Sequence, residues 1–281
     1  MSISLLGATE IREIAKQLEL HPAKSLGQNF VIDGNTCQKI VRLAGIEADD
    51  HVVEIGPGLG SLTLALLQSA HHVTAIEIDE RLAKQLPLTA QAHGVEEGHL
   101  SIINKDALKV HDIPGNPTKL VANLPYNVSV PVLLTILERF PSITSGVVMV
   151  QTEVAERLAA KPGNKTYGVP SAKAAWWCEM TLADSVSRSV FWPVPNVDSS
   201  LVRFVRHEPL GDEKLRERTF ELIDRAFGQR RKMLRSALSS MYGGSAAAEA
   251  VLSAAGIDPT LRGEALDIHG FCAIASQQVE S

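Results

Sequence analysis

The residues with the clearest chemical potential are Asn123-Leu124-Pro125-Tyr126. The Asn123 side-chain oxygen and the Leu124 carbonyl are two hydrogen-bond acceptors on adjacent residues. Pro125 restricts the backbone and so fixes where that carbonyl points. Tyr126 adds a flat face of the kind that stacks on a base. This set suits an exocyclic amine on an aromatic ring, whose lone pair is delocalised into the ring. Two acceptors on its N–H bonds localise the lone pair, and positioning and electrostatics carry most of the catalysis. The product cation is acidic, so no general base is needed at the outset. No His, Cys or Lys nucleophile is required either. Taken alone, the tetrapeptide reads equally well as a proline turn with a capping asparagine.

A second group of residues reads as a ligand cradle. Gly56-Pro57-Gly58-Leu59-Gly60 follows the apolar run 51–55 and opens a helical pattern. Glycines allow a tight turn and close approach of a ligand, and a helix start offers unpaired N–H groups. At the carboxyl end of a strand this is a nucleotide-type site. The dinucleotide fingerprint would need its third glycine at position 61, where Ser61 stands, and that argues against a nucleotide-dependent oxidoreductase. A lone glycine motif is also compatible with a plain strand-to-helix turn. Glu77 lies at the tip of the run 73–76, placed to accept both hydroxyls of a ribose; the alternative is a solvated loop carboxylate. Asp79 suits a helix N-cap. Asp106, after the run 100–103, can accept from an adenine amino group, or can form an ordinary Asx turn. Ligand candidates at the ends of three successive strands reinforce one another.

These positions require strands and turns to hold them together. Short apolar runs at 51–55, 73–76, 100–103, 119–122 and 147–150 predict strands. Helical patterns at 59–70, 79–92 and 128–140 alternate with them. That order implies a Rossmann-like α/β fold, a mainly parallel sheet covered on both faces. Runs at 185–191 and 199–206 predict a late antiparallel hairpin on the sheet edge, and 152–160 a helix. Ahead of the sheet, helices are expected over 9–20, with Thr9 as N-cap, and over 33–44, with Asp33 as cap and Gly45 as stop. Pro209-Leu210-Gly211 marks a boundary, which gives a larger domain over 1–209 and a small all-α domain over 210–281.

Composition narrows the class. Hydrophobic residues make up 45% and charged residues 21% of the chain, which is ordinary for a globular protein. Cys37, Cys178 and Cys272 are widely spaced, with no Cys-x-x-Cys pair. Neither a zinc site nor a disulfide framework is expected, and a reducing compartment is. The nine histidines form no ligand-like cluster; His71-His72 reads as solvated, and no metal is expected. No signal peptide or membrane-spanning run is recognisable, so a cytoplasmic protein is expected.

Together the motifs resemble the KsgA/RsmA family of small-subunit rRNA adenine N6,N6-dimethyltransferases, which have a class I methyltransferase fold. The resemblance rests on Lys24-Ser25-Leu26-Gly27-Gln28-Asn29-Phe30, on Glu54 to Thr63, on Asn123 to Tyr126 and on Gln151 to Arg157. It continues through Phe191-Trp192-Pro193-Val194-Pro195-Asn196-Val197-Asp198-Ser199 and Phe227 to Leu234, and covers nearly the whole chain. It implies S-adenosylmethionine as cofactor, lined by Asn29, Val31, Gly56, Gly58, Glu77, Ile78, Asp106, Ala107 and Asn123. It implies that Asn123, Leu124, Pro125, Tyr126 and Phe191 form the catalytic set, with Tyr126 and Phe191 sandwiching the target adenine. The implied substrate is 16S rRNA in the small ribosomal subunit, at two adjacent adenines of a hairpin loop near its 3′ end. A role late in subunit assembly follows, and a monomer is expected. Three departures stand out. Val31 replaces a frequent Leu, Val169-Pro170-Ser171 stands where Arg-Leu-Ser is usual, and Asn196 replaces a lysine.

Net charge is −5, which argues mildly against a nucleic-acid partner. Against that background Arg225, Arg230, Arg231, Lys232 and Arg235 form a local cationic run without an acid, expected to contact RNA phosphates. The alternative is a solvated helix face. Two rival functions remain: an Erm-type methyltransferase acting on large-subunit rRNA, and a non-catalytic RNA-binding assembly factor. Gly27 and the Phe-x-Pro-x-Pro segment favour the small-subunit family, and the intact set of site residues argues against loss of activity.

Overall fold

Val52, Val53 and Ile55 sit in a strand whose five residues are all buried, as expected of a parallel strand covered on both faces. A computed structural model describes residues 3–20 and 29–277. The apolar runs form β2 (His51–Ile55), β3 (His72–Glu77), β4 (Leu100–Asn104), β5 (Lys119–Asn123) and β6 (Ser145–Gln151). With β7 (Cys178–Val186) and β9 (Ser199–Arg206) they make a seven-stranded sheet of order β4-β3-β2-β5-β6-β9-β7. β2 pairs in parallel with β3 on one side and β5 on the other. The strand order therefore reverses at β2, and the ends of β2 and β5 flank the crevice where α/β sheets bind ligands. β9 runs antiparallel to β6, with Val148 opposite Val202.

The class I methyltransferase-like architecture matches the expected fold, with two differences of detail. The late strand covers Cys178–Val186, so it starts earlier than the expected 185–191 and shares only Ser185 and Val186 with it. Phe191–Trp192 instead forms β8, paired antiparallel with β1 (Phe30–Val31) in a separate two-stranded ribbon. The second difference is at the N-terminus. The first helix, α1 (Ala8–Gln17), is capped by Gly7 and not by Thr9. Its buried face, Ile11 and Ala15, packs with Leu59, Leu64 and Leu82.

Local signals were strong for α2 (Gly34–Ala44). Asp33 accepts from the Thr36 amide over 2.8 Å, and Gly45 closes the helix at φ +60°. α3 (Ser61–Leu67) and α4 (Glu80–Ala92) follow β2 and β3, with Asp79 capping α4 through the Arg81 amide. α5 (Ser129–Arg139) follows β5.

The chain divides into two compact units, residues 1–155 with 181–206, and residues 156–180 with 207–281. The second unit contains α7 (Val169–Ala174), α8 (Glu213–Gly228), α9 (Leu234–Ala237), α10 (Ser245–Ala254) and α11 (Ile268–Ala275). α6 (Thr152–Leu158) lies where the chain first passes between the units. The sequence boundary near 209 placed 156–180 with the sheet, whereas these residues cluster with the helices. Their aromatic side chains supply the reason: Tyr167 lies edge-on to Phe227 at 5.7 Å and Trp177 edge-on to Phe220 at 5.3 Å. The Tyr167 hydroxyl also donates to the Leu266 carbonyl over 2.8 Å. Val169-Pro170 opens α7, where a proline in the first turn removes no helical hydrogen bond.

Candidate active site

The glycine loop is shaped by backbone conformations that side chains disfavour. Gly56, Gly58 and Gly60 have φ of +67°, +58° and +101°. A Cβ on Gly58 would also stand 2.9 Å from the Phe30 ring, so both strain and space require glycine there. The loop is anchored underneath: the Gly56 amide donates to the Ile76 carbonyl over 2.9 Å, and the Gly58 amide points to the Glu77 carboxylate at 3.4 Å.

Around this loop lies a cavity of about 260 Å³ walled by the carboxyl ends of four strands. Of the residues singled out from sequence, Asn29, Gly56, Gly58, Glu77, Ile78, Asp106, Ala107, Asn123 and Pro125 line it. Phe30, Lys105, Asn127 and Val128 line it too and were not anticipated. Phe30, Lys105 and Asn127 each neighbour a residue that was, and Val128 stands two positions past Tyr126, so proximity in sequence was the only available signal. Lys24 to Gln28 of the opening signature lie outside the described residues.

Asn123 has its amide group committed. Its Nδ2 donates to the Asn29 carbonyl over 3.2 Å, which turns its Oδ1 away from that carbonyl. Glu77 is buried, and its carboxylate accepts from the Asp79 amide over 2.9 Å. Burial raises its pKa against the lowering effect of these backbone donors. Asp106 does form an Asx turn, accepting from the Leu108 amide over 3.0 Å through Oδ1, and it also faces the cavity. Ile78 offers an apolar surface that is 61% exposed.

Four expected site residues are not on the cavity wall. Val31 is buried in the core opposite Phe191. Leu124 is buried, its amide donating to the Met149 carbonyl over 3.0 Å. Tyr126 is half-buried and shares a 3.0 Å hydrogen bond between its hydroxyl and Ser199 Oγ. Phe191 is 1% exposed and packs in the core with Leu201 and Met149, so it offers no face to a base here. The strand alternation of β8 is the cause. Phe191 turns inward, and Trp192 turns to stack on Phe30 at 6.3 Å.

In the second unit the cationic run is not uniform. Arg230 donates to the Glu264 carboxylate over 2.8 Å and to the Lys165 carbonyl over 2.7 Å. Arg235 donates to Glu249 over 3.0 Å. The run lacks acids in sequence, but the fold brings two to it. Among the described residues Arg225, Arg231 and Lys232 are exposed and carry no ion pair. Asn196 is exposed in the first unit and accepts from Arg188 through its carbonyl.

Among the described residues no cysteine or histidine lines the cavity. Burial pushes the Cys37 thiol up to about 12, with the charges of Glu54 and Asp33 adding to the effect. Among the described residues no group of three His, Cys, Asp or Glu side chains could hold a metal ion, and no helix is long and apolar enough to cross a membrane.

What the arrangement can do is hold a nucleoside between two carboxylates and an apolar surface, with an oriented amide acceptor beside it. Comparison with known proteins gives the family. The family model "Ribosomal RNA adenine dimethylase" matches residues 20–277. The chain is 58% identical over 278 residues to the ribosomal RNA small subunit methyltransferase A of Leifsonia xyli subsp. xyli, covering 98% of this chain and 99% of the relative. It is 56% identical over 276 residues to the protein of the same name from Corynebacterium glutamicum, covering 96% and 94%. Among solved structures, a dimethyladenosine transferase from Plasmodium falciparum superposes with a TM-score of 0.75 at 26% identity, covering 86% and 94%. The 23S rRNA methyltransferase ErmE superposes with a TM-score of 0.68 at 27% identity, covering 88% and 98%.

Proposed function

The chain belongs to the ribosomal RNA adenine dimethylase family, and from that premise we propose that it dimethylates adenine N6 in 16S rRNA of the small ribosomal subunit, using S-adenosylmethionine. The target is two adjacent adenines of the 3′-terminal hairpin loop, modified late in subunit assembly in the cytoplasm. The observation that carries the reading is the cavity that gathers Gly56, Glu77, Asp106 and Asn123 from the ends of four strands. Identity supports the choice of subunit: 58% to a relative named for the small subunit against 27% to ErmE, named for 23S rRNA.

The residues present fit the cofactor. Gly56 and Gly58 leave open the space a Cβ would narrow. Glu77 suits the ribose hydroxyls, Asp106 the adenine amino group, and Ile78 with Ala107 the faces of the base. When bound, S-adenosylmethionine supplies a methyl group on a sulfonium. Asn123 Oδ1 accepts an N–H of the target amine and raises electron density on its nitrogen. The Leu124 carbonyl is the second acceptor. Tyr126 supplies the stacking face, with its hydroxyl held by Ser199. No residue here acts as a nucleophile, and none has to.

The test is direct. Undermethylated small subunits and, separately, large subunits are incubated with the protein and labelled S-adenosylmethionine. Dimethyladenine in the small subunit alone is the expected result. Label in the large subunit would transfer the protein to the Erm-type activity, and label in neither would leave a non-catalytic assembly factor.

A further inference from the structure

We propose that Arg139 is a positioning residue for the adenine end of the cofactor cavity, acting through the turn that carries Asp106, Ala107 and Leu108. The proposal rests on the cavity being an S-adenosylmethionine site. Arg139 ends α5 and does not line the cavity. Its Nη1 donates to the Leu108 carbonyl over 2.8 Å and to the Val110 carbonyl over 2.9 Å.

Those two acceptors belong to a turn that is too short to satisfy them. Residues Ala107–Lys109 form one turn of 3₁₀ helix, held by a 2.8 Å bond from the Lys109 amide to the Asp106 carbonyl and a longer 3.4 Å bond from Val110 to Ala107. A turn of three residues leaves its last carbonyls without helical partners. The guanidinium supplies them, and hydrogen bonds from a charged donor are about twice as strong as neutral ones. The next link runs to the ligand. The Leu108 amide donates to Asp106 Oδ1, so the residue whose carbonyl Arg139 holds is the residue whose amide orients the carboxylate. Val110 is buried and anchors the far side of the turn. Arg139 thus fixes the depth and angle at which Asp106, Ala107 and Leu108 meet a base.

α5 carries a second cavity element at its other end. Val128 caps its start, and Val128 and Val132 both line the cavity. One helix therefore positions the segment after Asn123 with its first turn and the base-reading turn with its last residue. A shift in α5 would move both walls.

The experiment is calorimetric titration of S-adenosylhomocysteine and S-inosylhomocysteine into the full-length wild type, Arg139→Met and Arg139→Lys. Asp106 accepts from a 6-amino group and is repelled by a 6-oxo group, so wild type should prefer the adenine compound strongly. Arg139→Met keeps the aliphatic stem and removes the donors. It should weaken S-adenosylhomocysteine by about tenfold, change the inosine compound much less, and so collapse the ratio of the two affinities. Arg139→Lys should restore most of the ratio. If Arg139→Met does not fold, Arg139→Gln, whose amide donors are neutral and on a shorter stem, should give an intermediate ratio. An unchanged ratio in the folded Met or Gln variant, even with a lowered melting temperature, means Arg139 is only structural and overturns the proposal. Wild type that binds neither nucleoside overturns the cofactor reading itself, whereas wild type that discriminates separates that failure from this one.

Discussion

Thr63 donates its hydroxyl to the Glu54 carboxyl over 2.6 Å, with both side chains buried. Glu54 is near the end of β2 and Thr63 in the first turn of α3, so the bond spans the base of the glycine loop. Burial dominates the electrostatics. It pushes the Glu54 carboxyl up to about 8, against the Thr63 bond and assisted by the charge of Glu77.

This raised pKa makes stability depend on pH in a definite direction. The ordinary value is 4.5, so between 4.5 and about 8 the folded protein keeps a proton that the unfolded chain has released. The stabilisation is full below 4.5 and is lost as pH rises through 8. Glu54→Gln keeps an acceptor for Thr63 and cannot ionise. The stability difference between variant and wild type should therefore grow from pH 5 to pH 8.5. It should reach on the order of 3–5 kcal/mol, since each pH unit across that window contributes about 1.4 kcal/mol. Urea melts at a series of pH values measure it. Parallel curves for the two proteins would show that Glu54 stays charged in the fold.

Asn123→Ala removes both the side-chain hydrogen bond to the Asn29 carbonyl and the acceptor for the target amine. Turnover should fall below detection while affinity for S-adenosylhomocysteine stays within roughly tenfold, about 1.4 kcal/mol. Single-turnover assays and calorimetry separate the two effects. Near-normal turnover in this variant would remove Asn123 from amine activation.

Much of this site was legible because its determinants are local. Val52, Val53 and Ile55 announce a strand buried on both faces, and Asp33 and Gly45 announce the two ends of α2. Glu77 is the last residue of β3, and Asp106 stands two residues past the end of β4. What escaped is decided by partners far along the chain. Phe191 reads as a stacking face until its register against Val31, 160 positions away, turns the ring inward. Arg230 and Arg235 read as free cations until Glu264 and Glu249 arrive from later helical segments. Tyr167 and Trp177 gave no period from which their packing on Phe227 and Phe220 could be read.

Tyr126 and Ser199 join two of the sequence motifs through one hydrogen bond, with Ser199 fully buried. If that bond fixes the Tyr126 ring for stacking, Ser199→Ala should lower kcat/KM for the subunit substrate several-fold and leave cofactor affinity unchanged. Tyr126→Phe should do the same, and the double variant should be no worse than either single. A double-mutant cycle on kcat/KM should return a coupling of about 0.5–1.5 kcal/mol. Additive losses would mean that the two hydroxyls act independently.

The cationic run should split into two classes. Arg225, Arg231 and Lys232 are exposed without an ion pair among the described residues, whereas Arg230 and Arg235 are held by carboxylates. A cation that neutralises an RNA phosphate releases counterions, so each lost contact flattens the plot of log affinity against log salt by about 0.7–0.9. Arg231→Gln and Lys232→Gln should each weaken binding to small subunits and reduce that slope. Arg230→Met and Arg235→Met should leave the slope unchanged and lower stability by about 1 kcal/mol or less, as expected for partly exposed ion pairs. Filter-binding at several salt concentrations distinguishes the classes. An equal slope loss in all four variants would mean that Glu264 and Glu249 release their arginines when RNA binds.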